Sequence, residues 1–176
     1  MKFFDEKGFL HLETPTFIKN TPEGSREFVV PARFEPGKFF VLPQSPQQHK
    51  QMLMVAGFDK YYQMARCYRD EDPRGDRQPE FTQVDFELSF VEQQDILELM
   101  EEYCKLLAKK YYPNRPIKAD PFPVLTWKEA MDTYGIDKPE LRVENVKLLE
   151  LTDWAKKSEF SLFQNSACIK GMVVPK

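Results

Sequence analysis

The sequence predicts an α+β fold, an antiparallel sheet flanked by helices, and three observations carry that reading. Residues 81–90 alternate between apolar and polar side chains, the period of a half-buried strand. A second strand-like run, residues 61–71, precedes it, and the charged stretch between them makes the two the arms of an antiparallel hairpin. Residues 95–111 set Ile96, Leu97, Met100, Cys104 and Leu107 at helical spacing, so an apolar helix face is available to cover a sheet.

Composition bounds the rest. A chain of 176 residues with 41% hydrophobic and 30% charged residues holds one domain, or one domain and part of another. The net charge of −3 excludes a basic arm, so any contact with nucleic acid must be local. The stretch MKFFDEKGF has no apolar core of a secretory signal, and no apolar run reaches membrane-spanning length. Cys67, Cys104 and Cys168 are odd in number and widely spaced, which suits free thiols in a reducing compartment; a cytoplasmic location is expected. His11 and His49 are far apart and offer little support for a histidine metal site.

The elements follow in order. In KGFLHLETPTF, Leu10, Leu12 and Thr14 alternate with His11 and Glu13, which predicts a strand ended by Pro15. Pro22 and Gly24 mark a turn, residues 28–30 restart a strand, and residues 38–42 are its partner. A helix follows, with Ser45 as N-cap, Pro46 at the first helical position and Gly57 as the stop. Gln47, Lys50, Gln51 and Met54 share one of its faces. In residues 81–90, Thr82, Val84, Phe86, Leu88 and Phe90 are expected against a hydrophobic layer, and Phe81, Gln83, Asp85 and Glu87 toward something polar. Thr126 and Glu129 predict a capping box at a later helix start. The texture changes near residue 141, after which a short helix containing Trp154 and a strand within CIKGMVV are expected.

The stretch between the hairpin arms raises the functional question. Eight of the twelve residues from Arg69 to Glu80 are Asp, Glu or Arg. A solvated hairpin tip is the plain reading. The other is a polyphosphate and amine site. Arg69 can grip a phosphate or carboxylate in bidentate fashion. Glu71 can accept from an exocyclic amine, and Phe81 can stack on a base. Arg77 can reach a terminal phosphate. Lys50 with Gln47 can hold a small acidic substrate, and Asp85 can orient Lys50 or bind an ammonium group.

The spacing Arg69-x-Glu71 followed by Arg77-x-x-x-Phe81 resembles motif 2 of the class II aminoacyl-tRNA synthetases, and GFLHLETP with Pro15 resembles the end of their motif 1. TPEGSREFVVPAR, LPQSPQQHKQMLMVAGFDKYYQMARCYRDED, RQPEFTQVDFE and YGIDKPELR together resemble the bacterial-type aspartyl-tRNA synthetases, up to about Arg142. The resemblance implies ATP and L-aspartate as substrates and the acceptor end of tRNA(Asp) as partner. It implies a catalytic role for Arg69, on the α-phosphate and the substrate carboxylate. It implies aspartate contacts from Glu23, Ser45, Gln47, Lys50, Arg69, Gln83 and Asp85. ATP contacts are implied for Arg69, Asp70, Glu71, Arg77, Gln78 and Phe81, with the tip 72–76 against the tRNA end.

The resemblance also implies what lies elsewhere. Residues 1–140 match part of the class II catalytic domain, and residues 141–176 match the start of the inserted domain. The anticodon-binding domain, most of the motif 1 helix and motif 3 have no counterpart here. The Mg2+ ligands are expected in that missing part, and a homodimer is expected of the parent. By itself this piece is expected to be inactive. Gln48, His49, Pro73, Gly75 and Ser25 depart from the family pattern. Two rival readings stay open: a standalone paralogue that forms amides on the same core, and a non-catalytic module that binds RNA or protein.

Overall fold

The computed structural model describes residues 1–21, 24–143 and 146–173; Pro22, Glu23 and Val174 lie outside the described residues. In chain order these form α1 (Lys2–Glu6), β1 (Leu10–His11), β2 (Val29–Pro31), β3 (Phe39–Val41), α2 (Gln47–Val55), β4 (Lys60–Tyr68), β5 (Glu80–Leu88), α3 (Gln93–Tyr111), α4 (Trp127–Tyr134), β6 (Leu148–Glu150), α5 (Thr152–Ala155), α6 (Ser161–Asn165) and β7 (Lys170–Met172). Helices and small sheets mix as the α+β expectation requires. Contacts divide the chain into two compact units, Met1–Tyr103 and Cys104–Lys176.

The first unit is organised by the β4–β5 hairpin. Its arms pair antiparallel from Lys60 opposite Leu88 to Tyr68 opposite Glu80. The ladder extends one step further, where the Arg69 N–H donates to the Pro79 carbonyl at 2.8 Å. β1 adds to the other edge of β4 and runs parallel to it, with Leu10 opposite Tyr61. The sheet is therefore not wholly antiparallel. A parallel neighbour needs a crossover, and the chain through β2, β3 and α2 supplies it. β2 and β3 form their own antiparallel pair, with Val30 opposite Phe40.

Strand period two sends Tyr62 and Phe86 to one face of the hairpin, where they meet Phe4 and Phe9. Phe4 and Tyr62 are fully buried, and their rings stack with centroids 4.9 Å apart. Phe3, Leu88, Leu99 and Tyr103 complete this aromatic core. Burying a side chain like Phe4 contributes about 1.5–3 kcal/mol. The Tyr62 hydroxyl donates to Asp5 Oδ1 at 2.6 Å, and burial, then that bond, push its phenol up to about 12.

Two expectations need correction. The face holding Thr82, Val84, Phe86, Leu88 and Phe90 is covered only at its Phe86 and Leu88 end; Val84 and Thr82 are exposed. Phe90 is 99% exposed, because the strand stops at Leu88 and Phe90 takes a left-handed φ of 58°. The polar-looking face is instead the better buried one near the middle, where α2 brings Lys50 onto Asp85. The α2 expectation holds with an offset: Pro46 stands at the N-cap, and Gly57, with φ +89°, follows the last turn.

In the second unit, the capping box forms as predicted. Thr126 Oγ1 accepts from the Glu129 N–H at 3.1 Å, and Glu129 accepts from the Thr126 N–H at 2.7 Å. Gly135 ends α4 with φ 73°, and a Cβ there would lie 3.1 Å from Leu148 Cδ1, so glycine suits both backbone and space. β6 and β7 pair antiparallel, Leu149 opposite Gly171, and α5 contains Trp154.

Candidate active site

The site side of the hairpin follows from strand parity. Tyr61, Gln63, Ala65 and Cys67 of β4 lie opposite Glu87, Asp85, Gln83 and Phe81 of β5 and share one face. Arg69 and Glu71 stand just past the end of β4. With Phe81, Arg77 and Gln78 they line a cleft of about 680 Å³, together with Arg66, Asp72, Pro73, Asp76 and Glu80. The Arg69 guanidinium lies 5.1 Å from the centre of the Phe81 ring. The predicted nucleotide residues are thus brought together, with one exception. Asp70 does not line the cleft: its N–H donates to the Arg26 carbonyl at 3.0 Å, and its carboxylate faces Arg26 Nε at 3.8 Å.

Charge in the cleft is unevenly committed. Arg66 pairs with Glu80 at 3.5 Å and Arg77 with Glu71 at 3.9 Å. These pairs are partly exposed and stabilise little, so either arginine is free to turn to a ligand. Arg69 has no ion pair among the described residues, and its buried Nε has no hydrogen-bond partner. A cation on an aromatic face with an unused donor is arranged for an anion.

Further along the same face lies a second polar cluster. The side chains of Lys50 and Asp85 are about nine-tenths buried and meet at 2.8 Å; Glu87 approaches Lys50 at 3.3 Å. α2 carries Lys50 onto the sheet, and Gln47, half-buried, starts that helix. Ser45 sits just before it, also half-buried. Gln83 Oε1 accepts from the Cys67 thiol at 3.2 Å, which leaves its NH2 for other partners. One lysine against two carboxylates leaves this cluster net negative, a suitable place for an ammonium group. Glu23 lies outside the described residues.

Sequence reading missed three members. Tyr61 is fully buried beside Asp85, and its hydroxyl and Asp85 Oδ2 both lack hydrogen-bond partners of good geometry. Burial first, then the Asp85 charge, push the Tyr61 phenol well up from its ordinary value. Gln63 is buried and holds Thr14, donating to Oγ1 at 2.7 Å and accepting from its N–H at 3.2 Å. Glu87, which simple exposure would explain, is a partner of Lys50 instead. The signal was available: extending the parity of Cys67 and Arg69 back along β4 reaches Gln63 and Tyr61.

Comparison with known proteins gives the family. The family model for class II tRNA synthetases (D, K and N) matches residues 1–164. The chain is 54% identical over 172 residues to an aspartate–tRNA(Asp/Asn) ligase of Hydrogenobaculum sp., which covers 97% of this chain and 28% of that protein. It is 52% identical over 172 residues to an aspartate–tRNA ligase of Parabacteroides distasonis, covering 97% and 29%. It is 49% identical over 175 residues to an aspartate–tRNA(Asp) ligase of Deinococcus radiodurans, covering 99% and 30%. The chain therefore spans less than a third of the length of these curated relatives. With the family model matched from residue 1 to residue 164, the chain belongs to the class II tRNA synthetases of the D, K and N group.

Proposed function

We propose that this chain is an internal piece of an aspartate–tRNA ligase, and that its hairpin forms part of the site where aspartate is activated. One observation carries the reading. Arg69 Nε is buried without a hydrogen-bond partner among the described residues, and its guanidinium lies over Phe81 in a cleft that Glu71, Arg77 and Gln78 also line. Buried polar atoms are normally paired, so an unused donor on a buried guanidinium in such a cleft supports an anion site.

In this reading ATP occupies the cleft. Phe81 stacks on the adenine, Glu71 and Gln78 contact the nucleotide, and Arg77 leaves Glu71 for the γ-phosphate. Aspartate sits over Lys50, Gln47, Ser45, Gln83 and Asp85, with Lys50 on its side-chain carboxylate and Asp85 facing its ammonium. The substrate α-carboxylate attacks the α-phosphorus; an acyl–phosphate bond forms, the bond to pyrophosphate breaks, and aspartyl-adenylate results. Arg69 lowers the barrier by pairing with the charge that builds on the phosphoryl oxygens. A terminal ribose hydroxyl of tRNA then attacks the acyl carbon and AMP leaves. Among the described residues no group of three or more His, Cys, Asp or Glu side chains is placed to hold a metal ion, and the ligands of the Mg2+ that the family reading expects are proposed to lie elsewhere in the parent. Residues 141–176 are proposed to open the inserted domain. A homodimeric, cytoplasmic parent completes the proposal; among the described residues no helix is long and apolar enough to cross a membrane.

The test is amino-acid-dependent ATP–pyrophosphate exchange by the full-length parent, followed by charging of tRNA. Exchange with aspartate and charging of tRNA(Asp) are expected. Exchange with asparagine or lysine instead would replace the substrate, and exchange without charging would favour the amide-forming paralogue.

A further inference from the structure

Gln44 is 2% exposed, yet both polar atoms of its amide bond to one residue. Its Nε2 donates to the Ser25 carbonyl at 2.8 Å. Its Oε1 accepts from the Ser25 N–H at 3.3 Å and from the Ser25 hydroxyl at 2.6 Å. The side chain thus pairs with residue 25 as a neighbouring strand would. The next residues are tied elsewhere. The Arg26 carbonyl accepts from the Asp70 N–H at 3.0 Å, and the Phe28 carbonyl accepts from the Leu42 N–H at 2.9 Å. Residues 24–28 therefore form a strap held at three points. Its Gln44 end is joined to the segment that launches α2, where Ser45, Gln47 and Lys50 stand. Its Arg26 contact is joined to Asp70, the neighbour of Arg69.

We infer that Gln44 is a positioning residue: through this strap it sets the separation between the α2 residues of the amino-acid pocket and the Arg69 platform. The inference rests on the synthetase reading above. The reaction needs the substrate carboxylate in line with the α-phosphorus. Reacting groups displaced by about 1 Å lose on the order of a hundredfold in rate. Lys50 and Arg69 come from different segments, so something must hold them in step. A buried amide with every polar atom satisfied is stiff, because loss of any of its bonds strands a desolvated group. Ser25, a departure from the family pattern, adds the hydroxyl bond to that joint.

Exchange kinetics of the full-length parent, with active sites titrated by adenylate burst, test this. Gln44→Met keeps the side-chain volume and removes the polar bonds. It is expected to lower kcat/KM for aspartate by about tenfold to a hundredfold, the scale of such misplacement, while KM for ATP stays at the wild-type level. Ser25→Ala removes one bond without a change of backbone and is expected to raise KM for aspartate severalfold, again without effect on ATP. It serves as the deciding variant where Gln44→Met does not fold. Wild-type aspartate kinetics per active site in both variants, or equal losses for aspartate and ATP, would overturn the inference. An unaltered parent without aspartate-dependent exchange would instead overturn the synthetase reading.

Discussion

The two faces of the β4–β5 hairpin bury their side chains by different means. One face packs Tyr62 and Phe86 against Phe4 and Phe9, and the buried Tyr62 hydroxyl there donates to Asp5. The other buries Gln63 against Thr14 and Asp85 against Lys50 of α2, and past the end of β4 it leaves Arg69 Nε without a partner among the described residues. Apolar packing is non-directional and completes itself from whatever rings are at hand. A buried polar face has to match donors to acceptors atom by atom, and here the match is incomplete. The first face is thus built to hold the sheet together, and the second is the one proposed to receive a ligand.

Mutations at the two faces should then separate stability from chemistry. The largest effect on folding belongs to the aromatic face. Phe4→Ala should destabilise the parent by about 3–5 kcal/mol, the usual range for a buried Phe in a core. Denaturant unfolding measures this, and the folded fraction should keep its KM for aspartate. A changed KM would mean that the core also shapes the pocket.

Arg69→Ala should do the opposite. Its loss is expected to cut aspartate-dependent exchange by about a hundredfold to a thousandfold, as for other removed charge-stabilising donors, with little loss of stability. Near wild-type exchange would remove Arg69 from its assigned role. Lys50→Met should act on both scales, because it leaves Asp85 and Glu87 buried without a cation. Breaking such a pair costs about 3–5 kcal/mol in a fully buried setting and less here, where Glu87 is partly exposed. Its kinetic signature should be weaker aspartate binding with ATP binding retained; equal loss of both would argue for a folding role.

The smallest effect is a matter of pH. The Tyr62 phenol stands at about 12 against an ordinary 10.0, so the folded state holds its proton longer than the unfolded chain. The stability this contributes is complete below pH 10 and is lost as pH rises from about 10 to about 12. Unfolding free energy followed across that range should fall, and Tyr62→Phe should flatten the slope. An unchanged slope in Tyr62→Phe would assign the loss to Tyr61, whose phenol is also raised, or to other groups.

Much of this contrast was legible before any coordinates. Alternation marked the hairpin, helical spacing marked α3, and the pair Thr126 and Glu129 marked the start of α4, because each signal is local and repeats within one element. The motif 2 spacing gathered Arg69, Glu71, Arg77 and Phe81, the family resemblance added Gln78, and the cleft holds all five. The reading of which β5 face is buried did not survive. Hydropathy assigned the interior to Thr82 and Val84, yet Asp85 and Gln63 are the better covered, since α2 carries Lys50 to that side.

The amino-acid sequence by itself therefore determined the hairpin, α2, α3 and the start of α4, the family and the chemical types present in the cleft, whereas α1, β6 and α6 came only with the structure. Tertiary structure alone decided which polar side chains are buried and with whom they pair. Gln44 and Ser25 are nineteen positions apart, and Lys50 and Asp85 thirty-five. Neither separation matches a local period. Such partners are chosen only when strands take their register and a helix crosses them, because a hydrogen bond or buried ion pair requires a specific approach in space.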